Sequence, residues 1–475
     1  MVNCHSNDHF TDGYLSHTNA SYYRMIANKP IRRLTFGAAM PSRNSLVVLV
    51  QPPFFRLLGS HNDRGPLELA YMARYLERHE VPSVVLNLDY TGAQVHCSWR
   101  NLYERSHLLA QALEGGTGLL YESAELILGH DPRCVVISAG DSLTPWVDLG
   151  NAWIASGLAS MLKGFGIPVF GVGPRFRGVP SSVLEPFEAT ISDAPMSAAV
   201  ETLLQKLGIP AQWLTPAAIT APNVTPYISA DSTSSKYDVV MTSLGCVKAC
   251  SFCDAASMRY QEIDIETVAR DVSLRNIRHI DIGDAIFLPR PARLASLSYA
   301  IRSAVSAYPT FSCELSMDMT GEAQLERLSD FGIVEVKIGI ESGDDGSIAV
   351  MNKRHSADEV IGAADRIAAA GLDLTVYVLL GGPIPDTQGA ARRTLDMCEK
   401  LQANDYVINV WAYNRPSPRP TDTHFSWDLV LEYGLEDIIE DFWELQPTEK
   451  RSLGRIIEIR QPGRRASSPP SYQFD

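Results

Sequence analysis

Short apolar runs alternate with helical patterns along most of this chain of 475 residues. The run at 46–50 is continuous, which is typical of a parallel strand buried on both faces. A helix is predicted at 66–77, with Pro66 at its first position. Because strands and helices alternate, we predict an α/β protein built on parallel sheets.

Residues 45–213 form the first unit of this alternation, and we predict a Rossmann-like, doubly wound domain. Ligands of such sheets bind beyond the carboxyl ends of the strands. The loops expected there contain glycine or small polar residues, which allow a ligand to approach the backbone. The predicted strands are 46–50, 83–88, 134–139, 168–173 and 189–192, and the loops are 54–65, 140–144 and 171–174.

Residues 237–420 form the second unit, in which six strand–helix pairs can be counted. Six are fewer than the eight of a closed barrel, and chemistry in barrels takes place at the carboxyl ends of the strands. The best-marked helix begins at a capping box of Ser356 and Glu359 and ends at Gly371. The strands are predicted at 237–243, 279–283, 310–317, 334–340, 374–380 and 406–413.

Three further segments lack this alternation. Residues 1–44 are polar and are expected to form a loosely ordered N-terminal extension. Residues 214–236 are rich in Pro, Ser, Thr and Ala, which predicts a linker between the two units. Residues 421–475 are predicted to form a short acidic helical segment followed by a disordered tail.

Three cysteines follow the first strand of the second unit at Cys-x3-Cys-x2-Cys spacing: Cys246, Cys250 and Cys253. Three thiolates on one loop can hold three corners of a cubane iron–sulfur cluster. A fourth local cysteine is missing, so one iron stays open, as in reacting rather than structural metal sites. Zinc sites usually have two Cys/His pairs, but the nearest downstream histidines are His279 and His355. The alternative is three incidental cysteines in a loop.

The overall charge limits the partners of the chain. The net charge is −14, and no basic stripe indicates nucleic-acid binding, so a small molecule is the expected substrate. No apolar run approaches the roughly 20 residues of a membrane span, and the polar N-terminus lacks the regions of a signal peptide. The uneven spread of the eight cysteines argues against a disulfide framework and for a reducing cytoplasm.

The cysteine loop resembles the signature of the radical S-adenosylmethionine (SAM) superfamily. The resemblance implies a [4Fe-4S] cluster whose open iron binds SAM. An electron from the cluster then cleaves SAM to a 5′-deoxyadenosyl radical, and a flavodoxin or ferredoxin would be the reductant. It also implies that the six units form a partial (β/α)6 TIM barrel.

The same resemblance implies which residues contact SAM. Phe252, between two cluster ligands, would shield the cluster and pack near SAM. Strand ends would supply the other contacts, and a Gly-x-Glu-Ser-Gly stretch at 339–343 is similar to one in cobalamin-dependent members. The alternative roles are a salt-bridged barrel carboxylate for Glu341 and a helix cap for Asp284. The implied contacts are Phe252, Gly283, Asp284, Ser316, Asp318, Glu341 and Gly381.

The first unit resembles the cobalamin-binding domain that precedes many radical SAM barrels. The Asp-x-His-x-x-Gly motif of such domains is missing, and its position reads Gln51-Pro-Pro-Phe-Phe-Arg56. Many members lack the motif, so the resemblance implies cobalamin without a protein histidine ligand. The alternative is an ordinary Rossmann-like domain whose glycines form turns. The implied cobalamin contacts are Ser138, Gly140, Leu143, Gly171, Gly173 and Pro174.

By resemblance, the expected reaction is methylation of an unactivated carbon or a phosphinate through the 5′-deoxyadenosyl radical and methylcobalamin. The expected setting of this reaction is natural-product biosynthesis. One alternative is a radical rearrangement, ring contraction or cyclisation without methyl transfer. Another is a radical SAM enzyme without cobalamin. A non-catalytic iron–sulfur protein for electron transfer or redox sensing is the alternative of a different class.

Overall fold

The computed structural model describes most of both predicted units. The described residues are 46–52, 67–88, 119–141, 152–192, 201–203, 205–206, 208, 238–275, 278–288, 290–401, 403–411, 430 and 432–445. The predicted extension at 1–44, the linker at 214–236 and Leu143 lie outside them, as does most of the predicted tail.

The first unit contains a parallel sheet of five strands in the order β2-β1-β3-β4-β5. This order is the flavodoxin-like variant of the doubly wound fold, and its switch point lies between β1 and β3. The five predicted strands are confirmed. They are β1 (Val47–Gln51), β2 (Ser83–Asn87), β3 (Cys134–Ser138), β4 (Val169–Val172) and β5 (Ala189–Ile191).

Burial explains why β1 and β3 lack polar alternation. Every residue of both strands is buried, because each strand has a neighbour on either side and layers above and below. The helices of this unit pack their apolar faces on the sheet, and one of them buries Ile154, Leu158 and Leu162 at fourfold spacing. The helices are α1 (Leu67–Arg78), α2 (Leu119–Leu128), α3 (Ala152–Gly164) and α4 (Ser181–Leu184).

The second unit contains a parallel sheet of six strands in the order β6-β9-β10-β11-β12-β13. The six predicted strands are confirmed, and each lies beside the next in sequence, as successive strands of a barrel do. A small antiparallel pair, β7 (Ser243–Leu244) with β8 (Gln261–Glu262), follows β6. The six strands are β6 (Asp238–Val240), β9 (His279–Ile282), β10 (Thr310–Leu315), β11 (Ile333–Glu341), β12 (Asp373–Gly381) and β13 (Asp405–Trp411).

The two faces of this sheet differ in polarity. One face consists of apolar side chains such as Phe311, Cys313 and Val336, which lie in the core. The other face carries Asp281 and Lys337, which form a buried ion pair of 2.7 Å. The helices are α5 (Ile265–Arg275), α6 (Pro291–Ala304), α7 (Glu322–Phe331), α8 (Asp345–Val350), α9 (Ala357–Ala369), α10 (Thr387–Cys398) and α11 (Glu436–Leu445).

The helix signals in the sequence correspond to real helix ends. The Ser356 N–H donates to Glu359 Oε2 at 2.7 Å, and Gly371 has a φ of 71° just beyond α9. Asp386 caps α10 by accepting from the Gly389 N–H at 2.9 Å. Among the described helices, none combines the length and apolar character that a bilayer-spanning segment requires.

Candidate active site

The loop of the three cysteines begins at a buried carboxylate. Asp284, which follows β9, is 1% exposed. The N–H groups of Thr242 and Ser243 donate to its Oδ1 at 2.7 and 3.0 Å. The hydroxyls of the same two residues donate to its Oδ2 at 2.5 and 2.7 Å. These four bonds tie the carboxyl end of β6 to that of β9.

This arrangement shows what Asp284 contacts within the chain. Each of its carboxylate oxygens accepts two hydrogen bonds from the start of the cysteine loop, so Asp284 holds that part of the loop in place. The contact with SAM that the resemblance implied stays a prediction. Burial raises the pKa of Asp284 to about 6, although the hydrogen bonds from Thr242 and Ser243 lower it.

A tight backbone turn leads into the first cysteine. Gly245 has a φ of 70°, and a Cβ at this position would overlap the carbonyl group of Arg259. Only glycine adopts this conformation without strain and without that clash. The Cys246 N–H then donates to the Met258 carbonyl at 3.4 Å, which holds the loop against the strand pair β7–β8.

An ion pair joins the loop to the end of β10. Lys248, between the first two cysteines, donates from Nζ to both carboxylate oxygens of Asp318 at 2.8 and 2.9 Å. Burial raises the pKa of Asp318, but its bonds with Lys248 and Ser316 outweigh that effect, so the pKa lies below its ordinary value. Both residues predicted at this strand end, Ser316 and Asp318, therefore lie at the loop.

A second ion pair lies at the end of β11. Lys353 Nζ is 2.8 Å from Glu341 Oε1, and the Lys353 side chain is 18% exposed. It also donates to the Gly339 carbonyl at 3.0 Å. Burial lowers the pKa of Lys353, but the negative charge of Glu341 outweighs that effect, so the pKa lies above its ordinary value. The alternative of a salt-bridged barrel carboxylate thus describes Glu341, whose φ of 62° follows a register shift in β11.

The segment after α8 holds the middle of the cysteine loop. The Ser251 N–H donates to the Met351 carbonyl at 3.1 Å, and Ser251 Oγ donates to the Val350 carbonyl at 2.9 Å. Asn352 Nδ2 donates to the Ala249 carbonyl at 2.6 Å. We call residues 350–353 the clamp segment.

Phe252 lies between the second and third cysteines and packs on buried apolar groups. It packs against the apolar cluster formed by Met351 of the clamp segment and Leu379 of β12. Lys353 Nζ lies 5.7 Å from the centroid of its ring. Phe252 therefore closes one side of the loop against water, and β12 becomes the fourth strand whose end meets the loop.

The donor set of the loop fits an iron–sulfur cluster. Cys246, Cys250 and Cys253 are free thiols. Burial raises the pKa of Cys253 to about 12, and it also raises the pKa of Cys250. Iron binding must therefore release protons. In the described chain, no three His, Cys, Asp or Glu side chains form a group that could hold a metal ion. Such a group would bind one shared ion, whereas in a cubane cluster each thiolate binds a separate iron.

The switch point of the first sheet is polar and buried. Ser138 at the end of β3 donates from Oγ to Gln51 Oε1 at 2.8 Å. Asp141 Oδ2 accepts from the Glu68 N–H at 3.0 Å and so caps the first turn of α1. Gln51 Nε2 has no hydrogen-bond partner within the described residues. An unpartnered polar group at this position fits a bound ligand.

The glycines predicted to approach cobalamin have partners in their own domain. Gly171 leaves room for the ring of Phe176, since a Cβ would lie 2.9 Å from that ring. Gly173 has a φ of 116°, and a Cβ there would meet the Ala139 carbonyl. Gly140 and Pro174 complete the same pair of turns after β3 and β4. Packing between the two turns thus gives these glycines a role within the domain, and their contact with cobalamin stays a prediction.

The remaining predicted SAM contacts lie at strand ends. Gly283 donates its N–H to the Val240 carbonyl at 2.9 Å, and Gly381 ends β12 with a φ of 87°. Sequence reasoning assigned no role to Lys248, Lys353 or Asn352. The signal for the last two was the stretch Met351-Asn352-Lys353 after Glu341, but only the folded chain gives their partners.

The fold and the site define an α/β protein with a three-thiol loop at the carboxyl edge of a six-stranded parallel sheet. The sequence-family model of the Radical SAM superfamily matches residues 240–391 of this chain. These residues therefore form a radical SAM domain.

Solved structures of radical SAM enzymes are similar in fold. TsrM from Kitasatospora setae, a radical S-adenosylmethionine methyltransferase solved with tryptophan and aza-SAM, is 16% identical over 77% of this chain and 73% of that chain, with a TM-score of 0.50. The same enzyme with cobalamin and a [4Fe-4S] cluster is 15% identical over 77% of this chain and 75% of that chain, with a TM-score of 0.49. OxsB with aqua-cobalamin and SAM is 13% identical over 85% of this chain and 56% of that chain, with a TM-score of 0.45. At these identities the similarity concerns the fold alone. Comparison with curated protein sequences gave no match.

Proposed function

We propose that this chain is a cobalamin-dependent radical SAM enzyme that methylates an unactivated carbon, or a phosphinate, of a small metabolite. The observation that carries the proposal is the attachment of the three-thiol loop to the carboxyl ends of β9, β10, β11 and β12. Asp284 and Asp318 bond directly to loop residues. Glu341 pairs with Lys353 of the clamp segment, which is hydrogen-bonded to the loop, and Phe252 packs against the cluster that includes Leu379. In barrel folds, the chemistry takes place at the carboxyl ends of the strands.

In this proposal the three cysteines hold a [4Fe-4S] cluster and leave one iron for SAM. When bound, the cluster supplies the electron that cleaves SAM, and cobalamin carries the methyl group. Asp284 fixes the base of the loop. Phe252 excludes water from one side of it, and the ammonium group of Lys353 provides positive charge beside the thiolates. The proposed SAM contacts are the residues that the resemblance implied: Phe252, Gly283, Asp284, Ser316, Asp318, Glu341 and Gly381.

Cobalamin is proposed for residues 45–213, bound without a histidine ligand. Support comes from the flavodoxin-like strand order and from the buried polar pair of Gln51 and Ser138 at its switch point. Methyl transfer is consistent with the shared fold of TsrM, which is a methyltransferase. A small-molecule substrate, a flavodoxin or ferredoxin as reductant and a cytoplasmic location belong to the same proposal.

Anaerobic reconstitution with iron and sulfide, followed by SAM, reductant and hydroxocobalamin, tests the proposal. We expect 5′-deoxyadenosine, bound corrinoid and, with substrate, S-adenosylhomocysteine with a product heavier by one methylene unit. Cys250→Ala should abolish SAM cleavage, whereas Cys313→Ala should retain it because Cys313 is fully buried in the core. A reconstituted wild type that leaves SAM intact would overturn the enzyme assignment in favour of an electron-transfer or sensor protein.

Two other outcomes separate the remaining alternatives. SAM cleavage with a rearranged or cyclised product of unchanged methyl content would replace methylation by the radical reaction without methyl transfer. SAM cleavage without bound corrinoid would identify a radical SAM enzyme that works without cobalamin.

A further inference from the structure

Gln51 ends β1 at the switch point of the first sheet, next to β3. Its side chain is 1% exposed. One of its amide atoms lies 2.8 Å from Ser138 Oγ. The other amide atom has no hydrogen-bond partner in the described part of the chain. Buried polar atoms are nearly always hydrogen-bonded, so this exception needs an explanation.

Turning the amide over does not remove the exception. Ser138 Oγ also lies 3.3 Å from the Val50 carbonyl. In one orientation, the hydroxyl donates to Gln51 Oε1 and the NH2 group is left over. In the other, the NH2 group donates to Ser138, whose hydroxyl donates to the Val50 carbonyl, and Oε1 is left over. Either way, one buried polar atom of Gln51 is left without a protein partner.

The position of this atom points to a ligand. Open α/β sheets bind ligands in the crevice outside the carboxyl ends of the strands, at the switch point. The helix end at this crevice is already occupied, because Asp141 caps the first turn of α1 through the Glu68 N–H. Gln51 is thus a polar group at the crevice that the described chain leaves unsatisfied, while Ser138 holds its amide in place.

We propose that Gln51 binds a primary carboxamide on the periphery of the corrin ring. A carboxamide carries both an N–H donor and a carbonyl acceptor, so it can satisfy Gln51 in either orientation, whereas a phosphate offers only acceptors. The inference rests on the proposed cobalamin binding and assigns to this chain a contact with the corrin itself. Gln51 is the first residue of the stretch that stands where the Asp-x-His-x-x-Gly motif is missing, so the inference gives this position a role in cobalamin binding.

The test is a titration of the full, cluster-loaded chain with hydroxocobalamin under anaerobic conditions, followed by visible absorption. Gln51→Met preserves side-chain length and removes both polar atoms. We expect it to raise the Kd about tenfold, the effect of one lost buried hydrogen bond. The matched control is Ser123→Ala, which removes a buried hydroxyl on α2 and should leave the Kd unchanged.

A second readout separates binding from packing. Without cobalamin, Gln51→Met should unfold at a temperature higher by roughly 2 °C, because it removes an unsatisfied buried group. A structural glutamine would give the opposite sign. Unchanged affinity, or a loss of both affinity and stability, would overturn the proposal.

The third arm identifies the group that Gln51 contacts. Dicyanocobinamide keeps the corrin carboxamides and lacks the nucleotide. An equal loss of affinity for this ligand supports the carboxamide contact, and unaltered cobinamide binding would overturn it in favour of the nucleotide. If the wild type binds neither corrinoid, the cobalamin assignment fails together with this inference. If the wild type and Gln51→Met bind equally well, only the inference fails.

Discussion

At the scale of single residues, the candidate active site depends on carboxylates that hold other side chains and backbone groups in place. Asp284 holds the start of the cysteine loop through four hydrogen bonds, and Glu341 holds Lys353 beside the thiols. Such buried groups give a site its geometry at a cost in desolvation. Their charge states therefore affect the stability of the folded chain.

The pKa of Asp284 predicts a specific pH dependence. Burial raises it from 3.8 to about 6, so between these values the folded chain retains a proton that the unfolded chain has released. The stabilising contribution of this group is greatest below about pH 4 and is lost as the pH rises to about 6. Relative to Asp284→Asn, which cannot ionise, the wild type should lose about 2 kcal/mol of unfolding free energy between about pH 4 and pH 6, and about 3 kcal/mol in all once the pH is well above 6.

Urea unfolding of the two proteins at a series of pH values checks this prediction. The informative quantity is the change in their difference with pH, because the asparagine NH2 group also loses favourable contacts at every pH. A difference that stays constant across the interval would contradict it.

At the scale of elements, the clamp segment connects α8 to the cysteine loop across a long stretch of sequence. Asn352 and Ala249, joined by a hydrogen bond, are 103 residues apart. Asn352 has a φ of 55°, a left-handed conformation that asparagine tolerates better than most residues. Both its backbone and its side chain therefore suit this position.

Replacing Asn352 separates these two contributions. Asn352→Gly accepts the backbone conformation but loses the bond to the Ala249 carbonyl, so we expect iron to be lost to a chelator about fivefold faster. Asn352→Ala adds backbone strain and should lose iron faster still. Ser303→Ala is the control, since it removes a hydroxyl bond of 2.9 Å within α6. Iron loss from Asn352→Gly at the wild-type rate would show that the clamp is dispensable.

At the scale of the whole molecule, both sheets have buried strands that do not depend on the loop. The strands β1 and β3 are fully buried, and the six-stranded sheet is covered by apolar contacts of residues such as Ile338 and Val376. Burial of this kind provides most of the driving force for folding. The cysteine loop is attached to the carboxyl edge of one sheet.

Removal of the iron should therefore leave the fold in place. After chelation under anaerobic conditions, we expect the visible absorption of the cluster to disappear while the far-ultraviolet circular dichroism is retained. Small metal-dependent domains behave in the opposite way and unfold without their metal. Cooperative loss of the dichroism on chelation would mean that the cluster is part of the folding core.

The sequence by itself determined the features that depend on local pattern. Apolar runs predicted the eleven strands of the two parallel sheets. They are continuous in β1 and β3, because a strand buried on both faces needs no polar alternation, and they alternate with polar residues in strands such as β11. Capping residues and glycines marked the ends of α9. Cysteine spacing and a family resemblance identified the radical SAM domain, which the family match over residues 240–391 confirmed.

Only the tertiary structure decided which distant groups meet. Lys248 and Asp318 are 70 residues apart, and Gln51 and Ser138 are 87 apart, so neither pair has a local signal. The four donors that the cysteine loop directs at Asp284 also have no local signal in the sequence. The same holds for the packing of Gly171 against Phe176 and of Gly173 against Ala139. Contacts of these residues with SAM or cobalamin stay predictions. Periodicity is a property of neighbouring residues, whereas a buried ion pair or an unsatisfied amide exists only after strands from distant parts of the chain lie side by side.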